Sequence, residues 1–274
     1  MTVSTASGTE RIARAFAQAR SEGRLAAIVY LTVGYPERAA TGALLRAALD
    51  GGADIVELGV PFSDPLADGA TVQRASEVAL AQHVGLGDCL REAESLVRER
   101  DATAVLMGYT NPFLRHRGGV SGFARDASRA GIAGVIVPDL PAEEAAEFDG
   151  ALDPEGIARI DLYAPTTPDD RLAQLVPSAR GFVYCVSLTG VTGARRALGA
   201  DVADFVSRVR RHSRIPIAVG FGISAPEHVA ALRGVADAFV VGSAALDAVS
   251  AAPPGARPEA LRAFVATLAA AGRA

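Results

Sequence analysis

The chain has 274 residues, half of them hydrophobic, and a formal net charge of -4. That length and apolar content suit one large domain with a sizeable core. The mild acidity argues against a nucleic-acid or anionic-membrane partner, which would favour a basic face.

Short apolar runs of β type alternate with amphipathic stretches along the whole chain. Residues 9–20 predict a helix ahead of the first strand. Strands are expected at 26–33, 54–58, 103–108, 133–137, 158–163, 181–186, 215–219 and 237–241. Their runs are mostly continuous rather than alternating, as parallel strands covered on both faces require. Helical periodicity falls between them, at 37–50, 70–81, 88–100, 121–130, 143–150, 169–176, 201–212 and 226–233. Two more helices are expected after the last strand, at 243–249 and 258–271. Such alternation fits a barrel or a doubly wound sheet. Eight uninterrupted repeats without a linker favour a single (β/α)8 TIM barrel over residues 1–274, with an extra N-terminal helix and additional C-terminal helices.

No apolar run reaches the ~20 residues of a membrane span. The start, MTVSTASGTERIARAF, lacks a basic segment followed by an apolar core, so a cytoplasmic protein is expected. Cys89 and Cys185 have neither zinc-site nor disulfide-framework spacing, and no metal site is expected.

In a barrel of this kind the chemistry sits at the carboxyl ends of the strands. The second strand runs into ELGVPFSDPLADG, residues 57–69. Alternation along the strand puts Glu57 on the opposite face from Val56. A carboxyl held in the barrel mouth is poorly solvated, and desolvation raises its pKa into the range useful for acid and base work. A structural Glu paired with an Arg satisfies the same pattern. Asp68 ends the loop just before a helix, where a simple N-cap is the alternative reading. Asp64, before Pro65, reads as a turn residue. Ser63 suits the turn or the positioning of a water.

Gly and Ser recur at the later strand-to-helix junctions, in SLTGVTGAR (187–195), GFGIS (220–224) and GSA (242–244). Exposed N–H groups at a following helix N-terminus favour an anion, and glycine lets the backbone approach it closely. A phosphate site after strands seven and eight recurs in this fold. The residues alone thus point to a barrel enzyme acting on a phosphorylated small molecule.

ELGVPFSDPLADG followed by TVQRAS resembles the signature of tryptophan synthase alpha subunits. LTVGYP (31–36), MGYTNP (107–112), VPDLP (137–141), VSLTGVTG (186–193), VGFGIS (219–224) and VGSA (241–244) are similar to family motifs in the same order. The resemblance implies a lyase that cleaves indole-3-glycerol phosphate to indole and D-glyceraldehyde 3-phosphate late in tryptophan biosynthesis. It implies no cofactor in this subunit, and a beta-subunit partner in an α2β2 heterotetramer. By the same resemblance Glu57 is the proton-transfer residue. Asp68 accepts a hydrogen bond from the indole N–H. Thr192 belongs to a mobile loop that closes over the site, and Tyr184 lies near the reacting hydroxyl. Gly193, Gly222, Gly242 and Ser243 match phosphate-holding positions. Tyr30, Met107, Tyr109, Ile136, Phe182 and Phe221 match positions around the indole ring. Asp139 matches a residue that orders the site.

Three positions depart from common family patterns. Val29 stands where Pro is frequent, Tyr30 where some members have Phe, and Leu188 where some carry Arg. The runner-up readings are a stand-alone indole-releasing lyase, another phosphosugar-binding barrel, and a non-catalytic regulatory subunit.

Overall fold

The computed structural model describes residues 6–186, 200–220 and 222–273. Nine strand segments form one parallel sheet. They are β1 (Ala26–Thr32), β2 (Ile55–Gly59), β3 (Thr103–Met107), β4 (Ile132–Ile136), β5 (Ala158–Ile160), β6 (Leu162–Tyr163), β7 (Val183–Val186), β8 (Ile217–Gly220) and β9 (Ala238–Val241). Their order is β5-β4-β3-β2-β1-β9-β8-β7-β6.

The two ends of that order are halves of one expected strand. Pairing with β4 ends at Ile136↔Ile160, and pairing with β7 begins at Leu162↔Tyr184. Asp161 lies between them, and its carbonyl accepts from the Tyr184 N–H at 3.0 Å. The strand therefore passes from one neighbour to the other, and the sheet returns on itself as the expected barrel. Tilted barrel strands have such staggered registers, which explains why one apolar run appears as two segments.

The N-terminal helix, Gly8–Ser21, opens with a Ser7/Glu10 capping box. Its buried face carries Ile12, Phe16 and Ala19 into the inner core, against Ile28, Ile55, Val105 and Phe182. It thereby closes the base of the barrel. Close approach is possible because residue 8 is glycine: a Cβ there would lie 2.4 Å from the Ala133 carbonyl oxygen. A second apolar layer, including Val56, Leu58 and Val135, packs between strands and outer helices.

Several expected helices are redistributed. The 37–50 stretch is a 3-10 turn, Arg38–Ala40, followed by the helix Thr41–Asp50. The 143–150 stretch becomes Ala142–Glu144 and Ala146–Leu152. The helix from Pro226 stops at Ala230, short of the expected 233. A short helix, Thr110–Leu114, starts inside the MGYTNP segment, where no helix is expected from the sequence. Pro is tolerated in a helix's first turn, where its missing N–H costs no intrahelical bond.

Candidate active site

Glu57 lies on β2, in register with Tyr30 on β1 and Val105 on β3. Val56 turns into the outer layer, so Glu57 faces the barrel interior as strand alternation requires. It is fully buried, and neither carboxylate oxygen has a hydrogen-bond partner among the described residues. The structural ion pair weighed from the sequence is thus absent among the described residues. Burial first, and the negative charge of Asp68 second, push the Glu57 pKa up to about 8. At neutral pH this carboxyl holds its proton.

Asp68 hangs into the same cavity from the loop after β2. It is not a helix cap: the helix Ala70–Ala81 has Gly69 at its N-cap and no side-chain cap bond. Burial raises Asp68 to about 6, and a hydrogen bond from the Tyr109 hydroxyl acts in the opposite direction. Asp68 is therefore mostly ionised at neutral pH. The Tyr109 hydroxyl also accepts from the Ala67 N–H at 3.0 Å, and its ring stacks on Phe62 with centroids 5.1 Å apart. One tyrosine thus fixes both the end of the β2 loop and the charge it carries. Asp64 is exposed and receives the Ser63 hydroxyl at 2.5 Å, in keeping with a turn role.

The cavity holding Glu57 and Asp68 has a volume of about 300 Å³. Tyr30, Met107 and Tyr184 line it together with Gly222, Gly242 and Ser243, and Gly242 lies against the Tyr30 ring. Gly222 has φ +67, a conformation that glycine adopts without steric cost. Ser243 begins the helix Ser243–Ala251. The first N–H groups of such a helix have no intrahelical acceptor and favour an anion. A neighbouring cavity of about 790 Å³ shares Asp68, Met107 and Tyr184, and extends past Asp139 toward Tyr163. Another hollow, of about 240 Å³, lies at the base near Arg24 and Asp237, away from the strand ends where barrel chemistry sits.

The remaining expected residues divide into three groups. Asp139 accepts from both the N–H and the hydroxyl of Thr110, each at 2.9 Å, and so ties the loop after β4 to the one after β3. Ile136 and Phe182 pack in the inner core and do not line either mouth cavity. Thr192, Gly193, Phe221 and the 188–196 loop lie outside the described residues.

The family described as tryptophan synthase alpha chain matches residues 16–271. The tryptophan synthase alpha chain of Roseiflexus castenholzii is 51% identical over 247 residues, covering 89% of this chain and 94% of its own. That of Chloroflexus aggregans is 46% identical over 259 residues, covering 94% and 96%. The chain belongs to the tryptophan synthase alpha chain family. A solved Mycobacterium tuberculosis tryptophan synthase structure superposes with a TM-score of 0.89 at 40% identity, covering 96% of this chain and 98% of that one. Alpha chains are lyases that cleave indole-3-glycerol phosphate to indole and glyceraldehyde 3-phosphate in tryptophan biosynthesis.

Some residues of the cavity and its surround were not assigned individually from the sequence. Thr32 places its hydroxyl 3.1 Å from that of Tyr30. Strand alternation gives the signal, since residues 30 and 32 face the same side. Thr32 stands behind the wall that Tyr30 forms, whereas Val72, Ser224 and Asp247 line the cavity itself. Asp247 accepts from Thr71 at 3.5 Å, a contact between two helices that no local pattern announces.

Proposed function

We propose that Glu57 carries both proton transfers of the lyase reaction and that Asp68 stabilises the charge developing on the indole ring. Protonated Glu57 gives its proton to indole C3. Positive charge then appears at the ring nitrogen, where the Asp68 carboxylate accepts the N–H hydrogen bond. The Glu57 carboxylate next takes the proton of the side-chain hydroxyl adjacent to the ring. The carbon–carbon bond breaks, its electron pair returns to the ring, and the former carbinol carbon becomes the aldehyde of glyceraldehyde 3-phosphate. Glu57 gives one proton and recovers one, so it ends as it began.

The observation that carries this reading is the difference between two carboxyls in one cavity. Burial lifts Glu57 to about 8 and leaves Asp68 at about 6. At neutral pH one is an acid and the other an anion, which matches the two roles. Gly222, Gly242 and Ser243 would hold the substrate phosphate. Thr192 and Gly193 are assigned to loop closure and phosphate contact, and Phe221 and Tyr109 to the indole side, by family resemblance. Tyr184 would face the reacting hydroxyl. No step requires a metal or organic cofactor in this chain.

We further assign the chain one barrel domain, a cytoplasmic location, and a beta-subunit partner in an α2β2 assembly. Leu66 (93% exposed) and Leu114 (45%) are the large apolar side chains most open to solvent among the described residues. Leu66 lies in the loop after β2, and Leu114 closely follows MGYTNP; by family resemblance both segments would face that partner. Indole release from indole-3-glycerol phosphate, measured with and without a beta subunit, tests substrate and partner together. Turnover stimulated by the beta subunit supports the reading. Absence of indole in both conditions contradicts it.

A further inference from the structure

Tyr30 and Tyr184 each lean over a glycine on the next strand. Tyr30 pairs in register with Glu57, yet its hydroxyl reaches Gly59, where an added Cβ would lie 2.2 Å from it. Tyr184 pairs with Ala218, and its hydroxyl lies over Gly220, where a Cβ would come within 2.9 Å. The Tyr30 ring thus runs along the strand direction. Its hydroxyl sits one inward-facing layer above Glu57, on the way to the mouth.

What distinguishes Tyr30 is a built-in partner. Its hydroxyl lies 3.1 Å from that of Thr32, which is itself only 2% exposed. Either hydroxyl can donate. With Thr32 as donor, the Tyr30 proton is free to face the cavity. The titratable groups around that space are Glu57 on β2, Asp68 on the following loop, Tyr184 on β7 and Asp247 on the helix after β9. Tyr109 reaches Asp68 from the loop after β3. No Arg, Lys or His is among the described residues lining this cavity. Hydroxyl donors must therefore do much of the work of solvating negative charge there. Asp68 is the charge that bears most on the Tyr30 hydroxyl, and Glu57 the next.

We infer that Tyr30 is a positioning residue for the lyase reaction: its hydroxyl, oriented by Thr32, turns its proton toward the carboxylates and helps keep Asp68 charged while Glu57 cycles its proton. The inference rests on the roles proposed above for those two carboxyls. An aromatic wall for indole needs only the ring, and phenylalanine would serve it equally. A fixed hydroxyl dipole beside two carboxyls does something a phenyl ring does not: it favours their ionised forms.

The test is indole release from about pH 5.5 to 9.5 by the wild-type chain, Tyr30→Phe, Thr32→Val, Thr32→Ser and Glu57→Gln, with thermal unfolding of each. Losing a hydroxyl dipole aimed at a carboxylate corresponds to a pKa rise of about half a unit or more. In Tyr30→Phe both limbs of the profile should move to higher pH by about that amount. kcat should fall about three- to fivefold on the acid limb, rise by about threefold on the alkaline limb, and leave KM within about twofold. Thr32→Ser should keep the wild-type profile, and Thr32→Val should move in the direction of Tyr30→Phe, by less. A Tyr30→Phe loss equal at every pH, or unmoved limbs with Glu57→Gln inactive, overturns this inference alone. Turnover retained by Glu57→Gln overturns the parent reading instead.

Discussion

Glu57 and Asp68 share one cavity, and the negative charge of Asp68 adds to burial in holding the proton on Glu57. Two carboxyls of similar intrinsic acidity are thereby separated into an acid and an anion. That relationship has consequences beyond the two side chains.

The first concerns pH. Activity needs Asp68 ionised and Glu57 protonated, so kcat/KM should be bell-shaped, rising near about 6 and falling near about 8. A phosphate monoester also titrates near about 6. Asp68→Asn separates the two, because an acid limb that survives it belongs to the substrate. The same variant removes the charge that raises Glu57, so its alkaline limb should move to lower pH. An alkaline limb that stays in place would show that burial alone sets Glu57.

Asp68→Asn should also lower kcat by about 10²–10³ with little change in KM, since its charge is needed most as the ring becomes positive. Steady-state kinetics on indole release decide this. An increase in KM at unchanged kcat would make Asp68 a binding residue only.

Tyr109→Phe removes the hydroxyl that meets both Ala67 N–H and Asp68. Its bond lowers the Asp68 pKa, so the variant should shift the acid limb upward and cost about threefold in kcat near pH 6, since about 1 kcal/mol moves a pKa by roughly 0.7 unit. An unshifted limb would reduce Tyr109 to a packing role.

Stability should show the cost of burying Glu57. Its folded pKa lies above its unfolded one, so the folded state binds the extra proton between about 4.5 and about 8. The resulting stability is fully present below the unfolded value and is lost as pH rises through the folded one. The loss is roughly 1.4 kcal/mol per pH unit within that window. Glu57→Gln, which has no proton to lose, should gain on the wild type in urea midpoint as pH rises from about 5 to 8. A constant difference across that range would contradict the raised pKa.

Much of this architecture can be read along the chain, because parallel barrel strands are buried on both faces and leave continuous apolar runs. The division of the fifth strand at Asp161 cannot, since it reflects which neighbours pair on either side. Glu57's inward direction follows from alternation with Val56. The cap alternative for Asp68 does not resolve from sequence, because Gly69 and Asp68 are equally placed to cap and only the backbone decides. The contact that tunes Asp68 comes from elsewhere in the chain, since Tyr109 meets it across two loops, and Thr71 likewise meets Asp247 across two helices. Ile136 packs in the inner core and does not line the cavity, a placement that its match to a family position does not reveal.

The most direct measurement is single-turnover indole formation from indole-3-glycerol phosphate by Glu57→Gln beside the wild-type chain, with both shown to be folded and to bind substrate. Loss of at least about 10²-fold in the chemical step with substrate affinity retained is the expected result. Turnover within a few-fold of wild type would contradict the role of Glu57 as the proton-transfer residue.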